Sequence, residues 1–173
     1  MTGRPMTDKE MEALWAEHMR HEFVTRDLDA TLATMVEDAT VNHVPIGSGG
    51  NGKAELRAFY RDVFIGSWPD DLQMTLTNRV FGDNQLVEED HMRFTHKNRM
   101  EWFLPGVAPT HRLIEADFVV VVQFRDGKLV SCPRSSSPIS PALGVPGGVA
   151  PPRNIPDIPA SARLARNADR SPK

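Results

Sequence analysis

Phe94-Thr95-His96, Met100-Glu101-Trp102-Phe103-Leu104-Pro105-Gly106 and Phe124-Arg125-Asp126-Gly127-Lys128-Leu129-Val130 are the landmarks of the stretch that decides the fold. They read as a strand, a turn, a long apolar strand and a tight Asp-Gly turn suited to a hairpin. Upstream, Leu72 to Phe81 and Leu86 to Lys97 alternate as two further strands around the turn Gly82-Asp83-Asn84. Leu113 to Arg125 follows, and Lys128 to Cys132 closes the last hairpin. Polar residues sit among apolar ones along these strands, as they do in the wall of a pocket.

The first part of the chain has helical spacing instead. Thr7-Asp8-Lys9-Glu10 is a capping box, in which hydroxyl and carboxylate each reach a backbone amide left over at the helix start. Met11, Leu14, Trp15, Met19 and Phe23 then predict an amphipathic helix over 8–25. Asp27 or Asp29 can cap a second helix carrying Leu32, Met35 and Val36, and Lys53 to Phe64 predicts a third with Leu56, Phe59, Tyr60 and Val63 on one face. Thr40 to Pro45 reads as a short strand ended by the turn Gly47-Ser48-Gly49-Gly50. Helices first and consecutive strands afterwards imply an α+β class, with helices on one face of a mostly antiparallel sheet.

After Ser131 the character changes, with nine of the chain's 14 prolines and no aromatic residue beyond Phe124. Residues 133–173 are therefore expected to be an extended or disordered tail behind a domain over 1–132. Six basic residues against Asp157 and Asp169 give the segment from Ser131 a charge of +4, so the overall −3 leaves −7 on residues 1–130. An acidic body argues against nucleic acid as a partner. No apolar run is long enough to span a membrane and the start lacks a secretory core, so a cytoplasmic location is expected. The single cysteine, Cys132, agrees with a reducing compartment and excludes a multi-cysteine zinc site. His18 and His21 lack a third ligand at suitable spacing, so no metal is expected, and Glu17, His18 and Glu22 read as a solvated face. The glycines at 47–50 lack the Lys-Ser/Thr of a phosphate loop.

Val41-Asn42-His43-Val44-Pro45, Phe59-Tyr60-Arg61, Phe64-Ile65-Gly66-Ser67-Trp68-Pro69, Phe94-Thr95-His96 to Thr110, and Val122-Gln123-Phe124-Arg125-Asp126-Gly127-Lys128 resemble the SnoaL-like branch of the NTF2-like superfamily. The resemblance covers about residues 7–130. It implies a cone-shaped barrel of helices closing over a bent sheet, an internal pocket, and a homodimer. Members include polyketide cyclases that need no cofactor, and similar modules are fused to or named with dienelactone hydrolases (carboxymethylenebutenolidases). The branch usually ends in a pocket-lining strand with ionisable and aromatic residues, where this chain has Ser131-Cys132-Pro133-Arg134-Ser135. Cys132 is not in a nucleophile elbow, which disfavours dienelactone hydrolase chemistry. There is also no Arg-x-Asp pair with a distant second Asp, the arrangement of epoxide hydrolases with this fold.

The candidate catalytic residues are His96, His43, Asp90 and Glu101. His96 shares strand parity with Met92 and Phe94, whose side is apolar, and an imidazole there can carry a proton near neutral pH. Asn42 and His43 point opposite ways on a strand, so only one enters a cavity. Asp90 has the parity of His96, where burial would raise its pKa and make it a base, whereas Glu88 and Glu89 read as a solvated strand end. Trp102, Tyr60, Phe94 and Met92 are the candidate substrate-binding walls, with plain core packing as the competing role. Together these imply a small-molecule pocket and, for an enzyme, cofactor-independent acid–base chemistry (cyclase, isomerase or lactone hydrolase type) on an apolar carbonyl-bearing metabolite. The alternative is a non-catalytic ligand-binding or dimeric assembly module.

Overall fold

The structure, a computed structural model, describes residues 4–44 and 46–130. Helix α1 spans Asp8–Met19 and opens with the expected box: Thr7 accepts from the Glu10 amide, and the Glu10 carboxylate accepts from the Thr7 amide at 2.8 Å. The helix does not run on regularly to residue 25 as expected. Arg20–Thr25 is a π-helical turn, ended by Arg26 in the left-handed conformation at φ 51°. Met11, Trp15, His18 and Glu22 are buried along one stripe of this rod.

Asp27 caps α2 (Leu28–Ala33) by accepting from the Ala30 amide at 3.0 Å. Strand β1 (Thr40–His43) then pairs antiparallel with β2 (Ser48–Asn51). The glycine run expected to be a turn is thus itself a strand. Gly49 makes it one: at φ +139° its absent Cβ would lie 2.0 Å from the Val41 carbonyl oxygen, so only glycine lets the two backbones approach. Helix α3 (Gly52–Phe59) continues into a second π-helical turn, Tyr60–Phe64, and a 3-10 turn, Ile65–Ser67.

The main sheet is antiparallel in the order β3 (Gln73–Gly82), β4 (Gln85–Thr95), β5 (Leu113–Arg125), β6 (Lys128–Leu129). Asp126 and Gly127 turn β5 into β6 at φ 53° and 72°, the mirror-image turn that matches strand twist. A bulge between Leu76 and Asn78 bends β3. On β4 the residues Leu86, Glu88, Asp90, Met92 and Phe94 are all buried, so alternate positions point to the helical side. Leu129 of β6 is anchored on the end of α2, donating to the Thr34 carbonyl at 3.0 Å and accepting from the Val36 amide at 2.9 Å. The sheet is open rather than a closed barrel, because β1–β2 is a separate two-stranded sheet among the described residues.

The core is Met11, Trp15, Leu32, Met35, Leu56, Leu86, Phe94 and neighbours, which join the helices to the inner sheet face. Each such side chain contributes about 1.5–3 kcal/mol by leaving water. Among the described residues no helix is long and apolar enough to cross a membrane. The expected domain boundary at 132/133 and the tail behind it lie outside the described residues.

Candidate functional site

A cavity of about 680 Å³ lies against the helices and the inner face of the sheet. It is walled by aromatic side chains, among them Trp15, Tyr60, Phe64, Trp68 and Trp102, with Met92 on the sheet side. Five ionisable groups besides Tyr60 line it: His18, Glu22, His43, Asp90 and, at the exposed side, Asp117.

Asp90 is 3% exposed and projects from the middle of β4. Desolvation pushes its pKa up to about 7, helped by a hydrogen bond and repulsion from Glu88 and opposed by Arg79. Glu88 is itself buried and fixed by Arg79, whose Nε donates to Glu88 Oε2 at 2.6 Å. Arg79 and Glu88 are direct cross-strand partners, and Arg79 also reaches Glu12 on α1 at 2.8 Å. Asp90 Oδ2 is buried with no hydrogen-bond partner. That oxygen is free to accept a hydrogen bond from a bound molecule.

The helical wall holds a second polar group. Thr34 donates its hydroxyl to the Thr31 carbonyl at 2.6 Å, so its oxygen is left to accept from His18 Nδ1 at 2.7 Å. His18 Nε2 then meets Glu22 Oε1 at 2.9 Å, with side chains only 3% and 6% exposed. Burial first, and then the neighbouring Glu22 carboxylate, raises the Tyr60 pKa well above the ordinary phenol value. Trp15 stacks on His18 at 5.5 Å.

His43 stacks on Phe64 and packs against Phe59 and Trp102, with ring centroids 5.4, 5.4 and 5.2 Å away. Burial pushes its imidazole below the usual value, against the opposing Glu22 charge and the Ser48 backbone. Trp102 is locked by its indole N–H donating to Ser67 Oγ at 2.8 Å and its carbonyl accepting from Ser48 Oγ at 3.1 Å.

With this geometry in place, the sequence profile of the SnoaL-like domain matches residues 15–132, well over half of the chain. The chain belongs to the SnoaL-like family. Solved structures agree on the fold. An NTF2-like protein of unknown function from Burkholderia pseudomallei K96243 is 21% identical, with a TM-score of 0.54 over 72% of this chain and 87% of that one. A protein assigned as a SnoaL-like polyketide cyclase from Jannaschia sp. CCS1 is 15% identical, with a TM-score of 0.58 over 74% and 87%. The epoxide hydrolase/cyclase-like enzyme SalBIII, with a role in pyran ring formation in the polyether salinomycin, is 17% identical, with a TM-score of 0.55 over 73% and 90%. Among curated proteins, no sequence matches this chain significantly.

Within this SnoaL-like shell, Asp90, His43, Tyr60, Trp102 and Met92 all line the cavity. Phe94, His96 and Glu101 are not among its lining residues. Phe94 is core, 5.9 Å from Trp68 and 6.4 Å from Phe103 by ring centroid. His96 follows the end of β4 and is 1% exposed under the next loop, with its Nδ1 accepting from the Thr110 amide at 3.3 Å. Glu101 is exposed, where the Gly106 amide at 2.9 Å and then Arg99 hold its carboxyl below the usual range. It ties its own loop. Sequence reasoning missed His18, Glu22 and Glu88, all expected on solvated faces and all buried. The signal was present for the first two, since Met11, Trp15, His18 and Glu22 recur at helical spacing. Among the described residues no group of three or more His, Cys, Asp or Glu is arranged to hold a metal ion.

Proposed function

We propose that this SnoaL-like protein is an acid–base enzyme of the cyclase or isomerase kind, acting through its own side chains on a small, mainly apolar, carbonyl-bearing metabolite. One observation carries the reading: Asp90 lines an aromatic cavity with a pKa of about 7 and an acceptor oxygen without a partner. A base is most effective when its pKa lies near the working pH. Asp90 Oδ2 takes a proton from the carbon beside a carbonyl, and the electron pair moves onto the carbonyl oxygen as an enolate. In a cyclisation the enolate carbon attacks a second carbonyl of the same molecule, and the proton held by Asp90 passes to the new alkoxide. In an isomerisation the proton returns to a different carbon. The buried indole N–H groups of Trp15 and Trp68 have no partner and are available donors for the oxygen that gains charge. His43, Tyr60 and Trp102 shape the aromatic walls.

The cyclase assigned from Jannaschia and the ring-forming SalBIII share this fold, which supports a ring-closing or isomerising reaction. Proton exchange tests the base whatever the natural substrate is. A panel of aryl ketones and hydroxyketones is incubated with the full chain in deuterated water, and exchange at the carbon next to the carbonyl is followed by NMR. Loss of a positioned base costs about 10²–10⁴-fold, so Asp90→Asn should stop the exchange. Ketones that bind but exchange no faster than in buffer would leave a non-catalytic binding module as the better reading.

A further inference from the structure

Among the described residues, five buried side-chain nitrogen or oxygen atoms have no hydrogen-bond partner in the protein, and four of them belong to residues that line the cavity: Trp15, Trp68, Asp90 and His43. Buried polar groups are ordinarily paired, so orphans gathered on one cavity mark atoms that a ligand completes. The indoles can only donate and ionised Asp90 can only accept, and these three have parts in the reaction proposed above. His43 has none. Its Nδ1 is buried without a partner, while its ring packs against Phe59, Phe64 and Trp102 at 5.4, 5.4 and 5.2 Å between centroids and is not free to turn. Those rings carry no charge. The charged group that acts on His43 is Glu22, and burial outweighs it, so the imidazole is neutral at neutral pH. A neutral imidazole has one N–H and one lone pair, and the partner of each nitrogen decides which of them keeps the hydrogen. With nothing at Nδ1 to hold a hydrogen there, the ring takes the Nε2–H form that histidine ordinarily prefers. Nδ1 then offers its lone pair to a ligand.

We propose that His43 is a second proton-transfer residue of this cavity, and that the ligand is a hydroxyketone whose hydroxyl donates to His43 Nδ1 while its reacting carbon faces Asp90. The proposal rests on Asp90 being the base, and adds to it a hydroxyl on the carbon next to the carbonyl. The chemistry balances within one molecule. Asp90 Oδ2 takes the proton from the carbon that bears the hydroxyl; the electron pair forms a carbon–carbon double bond, and the carbonyl pair moves onto its oxygen. His43 Nδ1 accepts the hydroxyl proton and passes it to that oxygen. The pair left on the first oxygen forms the new carbonyl, and Asp90 returns its proton to the former carbonyl carbon. Ketone and alcohol have changed places, and no atom has been gained or lost. The Glu22 charge, which acts against burial at His43, favours the imidazolium of the middle step. His43 comes from β1 and Asp90 from β4, so the oxygen proton and the carbon proton are handled by groups on different elements.

The probes are 2-hydroxyacetophenone and 2-methoxyacetophenone, which share the ring, the carbonyl and the exchangeable carbon, and of which only the first has a hydroxyl hydrogen. Each is incubated with the full chain in deuterated water, and its exchange rate by NMR is divided by its rate in buffer. The hydroxyketone should be favoured by about three- to tenfold, the range expected for one added hydrogen bond. Taking the ratio of the two cancels the titration of Asp90, which acts on both. The ratio should fall toward one as pH drops below the usual imidazole value of about 6.5, because a protonated Nδ1 cannot accept. His43→Phe keeps a ring in the stack and removes the nitrogen, so its ratio should be one at every pH, whatever loss of rate the two ketones share. A native ratio of one, or a preference that survives His43→Phe or acid, overturns the role of His43 and leaves Asp90 as the base. Native chain that accelerates neither ketone overturns the Asp90 reading and this inference together. If the variant does not fold, the pH dependence of the native ratio decides alone.

Discussion

Replacing Asp90 with asparagine should stabilise the protein in mild alkali and leave it unchanged in acid. In the unfolded chain Asp90 titrates near 3.8, whereas in the fold desolvation and Glu88 push it to about 7. Between those values the native state holds a proton that the unfolded state has released, so stability falls as pH rises through this window. Below it both states are protonated and nothing is lost. Above it the native chain carries the whole penalty of ionising a buried carboxyl beside another. A rise of about three units at 1.36 kcal/mol each sets a ceiling of about 4 kcal/mol. Water drawn into the cavity around the charged form lowers this to about 1–3 kcal/mol. Asparagine has the same shape, can donate its amide to Glu88, and does not ionise. Urea unfolding at pH 3.5 and pH 8.5 measures the effect: the two chains should differ little at the lower pH, below the window, and the variant should be more stable by about 1–3 kcal/mol at the higher. Its loss of catalysed exchange alongside this gain would mark a residue kept for function at the expense of stability. A stability difference that is the same at both pH values refutes the raised pKa, and with it the main reason for choosing Asp90 as the base.

Three further substitutions probe the supports of the site. Arg79→Met leaves Glu88 buried without its cation; it should cost about 3–5 kcal/mol by urea unfolding, and since Arg79 lowers the Asp90 pKa, it should move the acidic limb of the exchange profile to higher pH. Thr34→Val strands the His18 Nδ1 hydrogen in the interior, a loss of about 1–3 kcal/mol in the same assay. Gly49→Ala forces a methyl group against the Val41 carbonyl, so thermal unfolding should show a loss of at least about 2 kcal/mol, whereas alanine at Gly82, where nothing lies within 4 Å of the added carbon, should be tolerated.

What the sequence made legible were features set by near neighbours. The capping box at Thr7 and Glu10, the Asp126-Gly127 turn and the alternation along β4 are all local, and each forms where it is expected. Alternation alone brings Asp90 to the inner face. It also puts His96, just past the end of β4 at Thr95, on the buried side, although His96 does not line the cavity. The polar stripe of α1 behaves differently. His18 and Glu22 occupy inward positions, yet a histidine and a carboxylate at i, i+4 are ordinarily a solvated pair. Their burial depends on Thr34 and Tyr60, which come from other elements. Glu88 has the same history, with Arg79 reaching it across the hairpin. The glycine run at 47–50 misleads because the reason for Gly49, contact with Val41, is visible only once β1 and β2 are paired.

The two walls of the cavity solve one problem in two ways, and the difference separates their roles. Each presents a carboxyl group to an apolar, aromatic space, and each has to offset its desolvation. On the helical wall Glu22 meets His18, which is itself held by Thr34. Such a group is pinned in geometry and directs the hydrogens around it. On the sheet wall the arginine goes to Glu88, and Asp90 is left with a carboxylate as its neighbour and no cation of its own. That arrangement gives up stability to keep one proton loosely held near neutrality. A chain built only to bind would gain by letting Arg79 reach Asp90, or by asparagine at 90. Keeping the costly acid where its free oxygen meets the cavity is what a proton-transfer role requires and a binding role does not.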